Sequence, residues 1–423
     1  MNTVKAGSEK YGVTVVADDL TGAADTGIRF APVVDDMWLS PSTASSGFEE
    51  TSVEGIAVFT DSRRLDAAQA RRAVREGFEV AGRLNGGNGG LVYKKIDSTL
   101  RGQIGAEVSE LLELTGKRVA LVAPTSVEQG RTVHHGLLRM HGVPVAETEL
   151  GRDPITPMRT SNIVDIVAGP EKLAVRLLDI PTLSRGREAL FSLFESWLSE
   201  PCVVACEAVD REHLEILAEL ATRPECLPAG SAGLAGAIVE LLTSRREGAK
   251  NAASPGAPAE PFTGRTLWLC GTASAVTREQ AAVLAAGTKI PTFTLSEGET
   301  RDREALSRWL REPLRLMAPS DAEVLIRVGD GRMSSAAILT AIQAIARKFA
   351  DELRVENFFL SGGDTAHALL SGLESYPLRL EEELLPGLIR SRNPRTRQNF
   401  FTKAGAFGEK DTLLRLHRYL SGK

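Results

Sequence analysis

Two adjacent carboxylates, Asp18 and Asp19, close the apolar run Val13–Ala17 and lead into Leu-Thr-Gly. Such a pair at a strand end is costly unless it grips a metal, a hydroxyl or a cation. The plainer alternative places Asp18 at the N-cap of the next helix and leaves Asp19 to solvent. A second polar cluster, Thr60, Asp61, Ser62, Arg63 and Arg64, follows Ile56–Phe59, and an arginine fork there could hold a carboxylate through two parallel bonds. A third follows Leu91–Ile96, a run that carries Lys94 and Lys95 and ends in Asp97, Ser98, Thr99 and Arg101. These groups would make a positive pocket with carboxylate and hydroxyl partners, unless Lys94 lies on a wet edge and Asp97 only caps a helix. The fourth cluster, PTSVEQGRTVHHG at 124–136, reads as a loop holding Arg131 and the neighbours His134 and His135. Adjacent histidines point in different directions, which suits a turn or a substrate hydrogen bond better than a shared metal.

The last 160 residues or so carry a different chemistry. Ser361-Gly362-Gly363-Asp364-Thr365 follows Asn357–Leu360, and Gly271–Thr277, with Ser274 inside it, follows Thr266–Cys270. Backbone N–H groups at such helix starts have no intrahelical partner and sit at the positive end of the dipole, so phosphates are their natural guests. Lys403–Gly408 adds a third glycine-bearing turn, with Gly405 and Gly408, after Phe400–Phe401. Any one of these turns alone is weak, because Gly-Gly before a helix is often only a tight turn. Gly329–Ser334 has serine where the dinucleotide fingerprint wants a third Gly or Ala, and it is read as an ordinary turn. The pattern GxxxxGK[ST] does not occur, which excludes a P-loop.

The elements that must position these residues alternate. Val13–Ala17, Leu91–Ile96 and Val119–Ala123 read as strands, Asp66–Arg83 and Gly105–Leu114 as helices, which predicts an α/β fold with mostly parallel sheets flanked by helices. A length of 423 residues exceeds one ordinary core, so two α/β domains are expected. The boundaries are set at 1–246 and 265–423, joined by an Ala/Pro/Gly/Ser-rich linker at 247–264. A Gly/Ser/Ala turn is expected at Gly230–Gly236 and a surface turn at Gly86–Gly90. A net charge of −5 gives no general attraction to nucleic acid or anionic lipid, so neither is expected as a partner. Cys202, Cys206, Cys226 and Cys270 are sparse and sit in apolar runs, as reduced core thiols of a cytoplasmic protein would. They lack the spacing of a zinc site, and metal ligands stay unassigned. No signal core and no window near 18 apolar residues is found, so the protein is expected in solution.

ADDLTGAADTG at 17–27, KKIDSTLRGQIGAE at 94–107, PTSVEQGRTVHHG at 124–136, SAGLA at 231–235, GTASAVTREQ at 271–280, SGGDTA at 361–366 and KAGAFG at 403–408 together resemble the four-carbon acid sugar kinase family, in its D-threonate and D-erythronate kinase branch. The resemblance spans nearly the whole chain. It implies an N-terminal domain that binds the acid sugar, a C-terminal domain that binds ATP with Mg²⁺, and an active site in the cleft between them. Carried over position by position, it points to Asp19, Arg63 and Lys95-Ile96-Asp97-Ser98 for substrate, and to Ser274, Gly362–Thr365 and Gly405 for nucleotide. Arg101 joins the substrate candidates and Ser361 and Gly408 the nucleotide candidates, while Asp19, Asp18 and Asp364 compete as catalytic groups. The expected reaction is phosphorylation of the terminal 4-hydroxyl of D-threonate or D-erythronate, with a 3-oxo-tetronate kinase as the alternative within the family. A nicotinamide-dependent dehydrogenase built on Gly329–Ser334, and a sensor without turnover, are the alternatives of other classes. Oligomeric state is left open, a homo-oligomer included.

Overall fold

Val13–Ala17 (VTVVA) is buried at every residue, as a strand covered on both faces must be. It sits inside a sheet whose order is Met37–Pro41, Gly55–Phe59, Val13–Ala17, Leu91–Lys95, Cys226–Gly230, Val119–Ala123, Cys202–Cys206 and Ala174–Leu178. Every neighbouring pair among these is parallel. Helices Leu20–Phe30, Ala67–Leu84, Ile104–Thr115, Arg187–Trp197 and Arg211–Ala221 lie in the crossovers, and Ala232–Arg245 follows the last strand. Val16, Ile96, Leu111, Val122, Val203 and Leu227 belong to one buried cluster, and each such side chain contributes roughly 1.5–3 kcal/mol by leaving water.

The computed structural model describes residues 12–43, 53–86, 90–152, 157–168, 173–245, 262–271, 274–329 and 333–422. The chain divides into two compact units, Met1–Asn251 and Ala252–Lys423. Most of the linker expected at 247–264, the centre of the Gly86–Gly90 cluster, residues 272–273 of the first glycine turn and residues 330–332 of the Gly329–Ser334 turn lie outside the described residues.

In the second unit Thr292–Leu295, Glu323–Val328, Thr266–Cys270, Asn357–Ser361 and Asn399–Lys403 pair in that order, all parallel. Leu388–Arg392 and Leu378–Leu385 then continue the sheet antiparallel. Its core gathers Trp268, Phe359, Phe401, Leu413 and Leu416, with the Trp268 and Phe359 rings 5.1 Å apart.

Several expectations need correction. The segment at 124–136 is not all loop: Arg131–His134, Leu137–Met140 and Val143–Pro144 form a small antiparallel sheet. Its two turns are His135-Gly136 and His141-Gly142, each with positive φ at both residues, which is the two-residue hairpin geometry that matches strand twist. The turn expected at Gly230–Gly236 is mostly helix, because Gly233 and Gly236 lie within Ala232–Arg245. A Cβ at Gly233 would come within 2.4 Å of the Thr125 carbonyl oxygen, so that glycine serves close packing. All the cysteines are free and buried, and burial pushes the thiols of Cys226 and Cys270 up to about 12. No helix among the described residues is long and apolar enough to cross a membrane.

Candidate active site

Ligands of open parallel sheets bind beyond the carboxyl ends of the strands, where neighbouring strands send their connections to opposite sides. In the first unit Val13–Ala17 and Leu91–Lys95 are such neighbours. The chain leaves the first toward Met37–Pro41 and the second toward Val119–Ala123, on the far side. Asp18 and Asp19 end one strand and Ile96, Asp97 and Ser98 the other, while Arg63 follows the adjoining Gly55–Phe59. Arg63 is the hub. Its Nε lies 2.7 Å from Asp18 Oδ2, and one terminal nitrogen lies 3.1 Å from Asp19 Oδ1 and 3.7 Å from Asp97 Oδ1. Arg101 grips Asp97 with two bonds, at 2.8 and 2.9 Å, and Asp97 also accepts from the Thr99 hydroxyl and backbone N–H.

The N-cap is Asp19 rather than Asp18: Asp19 accepts from the Gly22 N–H at 3.0 Å and from the Thr21 hydroxyl at 2.7 Å. Asp18 is 1 % exposed, and its Oδ1 is buried without a hydrogen-bond partner among the described residues. Neither lysine is on a wet edge. Successive strand residues face opposite sides. Lys94 turns to Glu107, an ion pair at 2.7 Å with both side chains fully buried. Lys95 turns toward Asp19, donates to the Ile96 carbonyl at 2.9 Å, and has its Nζ 3.1 Å from where a Cβ on Gly22 would stand. Glycine at 22 therefore keeps Asp19 and Lys95 close. Ser98 is half-buried at the rim.

Burial alone would push these carboxyls up, but the cations beside them win. Arg63 and then Lys95 hold the Asp19 carboxyl below its usual range. Burial is likewise outweighed at Asp97, where Arg63, Arg101 and the hydrogen bonds from Arg101 and Thr99 keep the carboxyl well below it. The guanidinium of Arg63, despite burial, is raised well above its ordinary value by Asp18, Asp19 and Asp97. The cluster thus stays ionised at neutral pH, with acceptors ready for hydroxyl groups.

The second unit has the same kind of switch point. The chain leaves Thr266–Cys270 for Thr292–Leu295 on one side and leaves Asn357–Ser361 for the opposite side. Ser274 is the N-cap of Ala275–Gly287, and Gly362, with φ 102°, is the N-cap of Gly363–Gly372. Asp364 lies exposed and Thr365 buried in the first turn of that second helix. Gly405 and Gly408 follow Asn399–Lys403, the strand beside Asn357–Ser361. Thr277 Oγ1 lies 2.8 Å from Ser361 Oγ and 2.7 Å from the Gly405 carbonyl oxygen, so all three turns are bound together. Lys403 Nζ donates to the carbonyls of Ala404 at 2.8 Å and Phe407 at 2.9 Å, which fixes the turn from inside. Burial pulls the Lys403 ammonium down to about 8.

Glu107, Thr277 and Lys403 fall inside the quoted motifs, but nothing in their types announced a role. A buried partner for Lys94 was the signal available for Glu107, since a strand lysine next to a helix carrying Glu needs a counter-charge. Among the described residues no three His, Cys, Asp or Glu gather as a metal-holding group.

Two family models match: a sugar-binding N-terminal domain over residues 13–238 and a nucleotide-binding C-terminal domain over 267–413. A D-threonate kinase of Salmonella typhimurium is 29% identical, covering 94% of this chain and 96% of its own. A 3-oxo-tetronate kinase of Brucella melitensis is 26% identical, over 93% of this chain and 92% of its own. The crystal structure of a Haemophilus influenzae protein superposes with a TM-score of 0.74 at 23% identity, over 97% of this chain and 99% of that one, which shows the shared fold. With these two domains matched over 13–238 and 267–413, and a D-threonate kinase of Cupriavidus necator 30% identical over 94% of this chain and 95% of its own, the chain belongs to the four-carbon acid sugar kinase family.

Proposed function

We propose that this kinase transfers the γ-phosphoryl group of ATP to the terminal 4-hydroxyl of a four-carbon sugar acid, D-threonate first and D-erythronate next. The observation that carries the reading is the Arg63 hub, where one guanidinium and Lys95 stand among Asp18, Asp19 and Asp97 at a strand switch point. Cations for a carboxylate and acceptors for hydroxyls are what a polyhydroxy acid needs. The outer face of Arg63, with Lys95, receives the carboxylate, and Asp97 and Ser98 fix hydroxyls. Arg101 is tied to Asp97 through both nitrogens and acts by holding it.

Phosphoryl transfer runs through a loose transition state, so the protein's work is positioning and charge stabilisation. Asp19 is the better partner for the reacting hydroxyl, because its carboxylate is partly exposed whereas Asp18 is buried against Arg63. It accepts the hydroxyl proton as the oxygen attacks. The N–H groups at Ser274 and at Gly363–Thr365 and the turn bearing Gly405 and Gly408 receive the phosphates, while the Gly362 N–H, which donates to the Lys403 carbonyl at 2.8 Å, ties two of these turns together. Mg²⁺ binds such sites through one or two carboxylates plus phosphate oxygens, keeping several waters, so a three-ligand protein cage is not required. The exposed carboxylate of Asp364 at the cradle suits it. When bound, Mg²⁺ neutralises charge on the β- and γ-phosphate oxygens.

A 3-oxo-tetronate acid is the second reading, favoured by the Brucella melitensis relative. Release of ADP is to be followed with D-threonate, D-erythronate, 3-oxo-tetronate and five- and six-carbon acids. Turnover confined to four-carbon acids is expected, and turnover only with longer acids, or none, overturns the proposal.

A further inference from the structure

The acid pocket as described so far carries no spare positive charge. Asp18, Asp19 and Asp97 are matched by Arg63, Arg101 and Lys95. A carboxylate entering that set alone would add a negative charge to a neutral, largely buried cluster, which is unfavourable in a poorly screened site. A further cation must stand within reach.

Arg131 meets that need. It begins the first ribbon strand and is bound back to Ser126, each backbone N–H donating to the other's carbonyl at 2.9 Å. Ser126 follows Val119–Ala123, whose carboxyl end lies one strand, Cys226–Gly230, away from that of Leu91–Lys95. Neighbouring strands are about 4.8 Å apart, so the two strand ends are about 10 Å apart, a gap that the Arg131 and Asp97 side chains close together from opposite sides. The guanidinium interacts electrostatically with Asp97 and Arg101. It is half-buried, makes no carboxylate ion pair among the described residues, and its Nε is buried without a hydrogen-bond partner there. The hub arginine has its Nε and one terminal nitrogen committed to aspartates, whereas Arg131 donates from one terminal nitrogen to the Gln129 carbonyl and keeps its Nε for a ligand. The ribbon is in turn fixed by Glu207, which accepts from the Gly136 N–H at 2.5 Å and the Ile180 N–H at 3.1 Å, and by the Val133–Ala208 pairing.

We infer that Arg131, carried on the His-Gly ribbon, is a further substrate-binding residue that supplies the uncompensated positive charge for the acid's carboxylate. The inference rests on the function proposed above and refines which group recognises the acid end.

The test separates the acid end from the hydroxyls by comparing D-threonate with threitol, the neutral polyol in which CH₂OH replaces the carboxylate. Binding is measured by calorimetry and turnover by ADP release, on the full chain and on Arg131→Gln and Arg131→Lys. For the Gln variant the acid is expected to bind at least tenfold more weakly, with the KM for ATP and the response to threitol as in the unsubstituted chain. The Lys variant keeps the charge without the fork and should recover part of the loss; should the Gln variant not fold, the acid KM of the Lys variant carries the test, with a rise expected at unchanged kcat. Equal acid binding in all folded chains, or equal losses for acid and polyol, overturns the inference. An unsubstituted chain that neither binds nor phosphorylates any four-carbon acid overturns the function itself.

Discussion

Asp19 does two jobs in this site, capping the helix Leu20–Phe30 and offering a carboxylate oxygen to the pocket. Asp19→Asn keeps the size and the capping oxygen but loses the proton acceptor, so turnover should fall by about 10²–10⁴-fold with little change in the KM for ATP. Near-normal turnover would remove Asp19 from the mechanism. Arg63→Ala leaves Asp18 buried without its cation, so it should both raise the acid's KM and destabilise the fold, by about 3–5 kcal/mol for the orphaned charge. Denaturant midpoints and kinetics together check this: an unchanged KM would move carboxylate recognition away from Arg63. Gly22→Ala brings a methyl group within 2.5 Å of Asp19 Oδ1, and a fall in kcat with retained ATP binding is expected. That Asp19, Arg63, Lys95 and Asp97 lie together at strand ends was legible, because charged residues stand at or just past the ends of apolar runs. Which aspartate would cap and which would be buried was not, since that depends on Arg63 arriving from a separate strand.

At the scale of elements, the buried Lys94–Glu107 pair joins strand Leu91–Lys95 to helix Ile104–Thr115, and Glu107 also accepts from Ser62 at 2.5 Å, just before Arg63. Glu107→Gln should therefore loosen the Arg63 turn as well as lower stability, whereas a substitution on an exposed helix face should do neither; a KM for the acid unchanged in a folded Glu107→Gln chain would contradict this. The Lys403 turn gives a pH prediction. The unfolded lysine titrates near 10.5 and the folded one at about 8, so between these values the unfolded chain holds a proton that the folded chain has released. Stability from this group is fully present above the unfolded value and is lost as pH falls to about 8, by about 3 kcal/mol at most. Chemical denaturation across pH 7.5–10.5 should show that rise in the unsubstituted chain and not in Lys403→Met, an interval set about those two values. Strands such as Glu323–Val328 were legible because apolar runs ended in turn residues. The ribbon was not, although its paired His-Gly turns were a usable signal, because short half-polar strands carry little periodicity. Leu388–Arg392 (LIRSR) and Leu378–Leu385 escaped for a similar reason: charged residues interrupt both strands, and only the Pro386-Gly387 loop marks the hairpin.

Over the whole molecule, the two units repeat one physical idea, a parallel sheet whose switch point gathers polar residues from neighbouring strand ends, with different chemistry in each. Ion pairs and hydroxyls gather in the first, glycine-lined N–H groups in the second. The division of labour was readable in residue types, because carboxylates with arginine suit hydroxy acids and glycine turns suit phosphates. The most direct test of the account is the phosphorus spectrum of the product formed from D-threonate, ATP and Mg²⁺. An ester on the terminal carbon couples the phosphorus to a methylene, so a proton-coupled ³¹P triplet is predicted, whereas a doublet from a CH position, or no new phosphate ester, would contradict it.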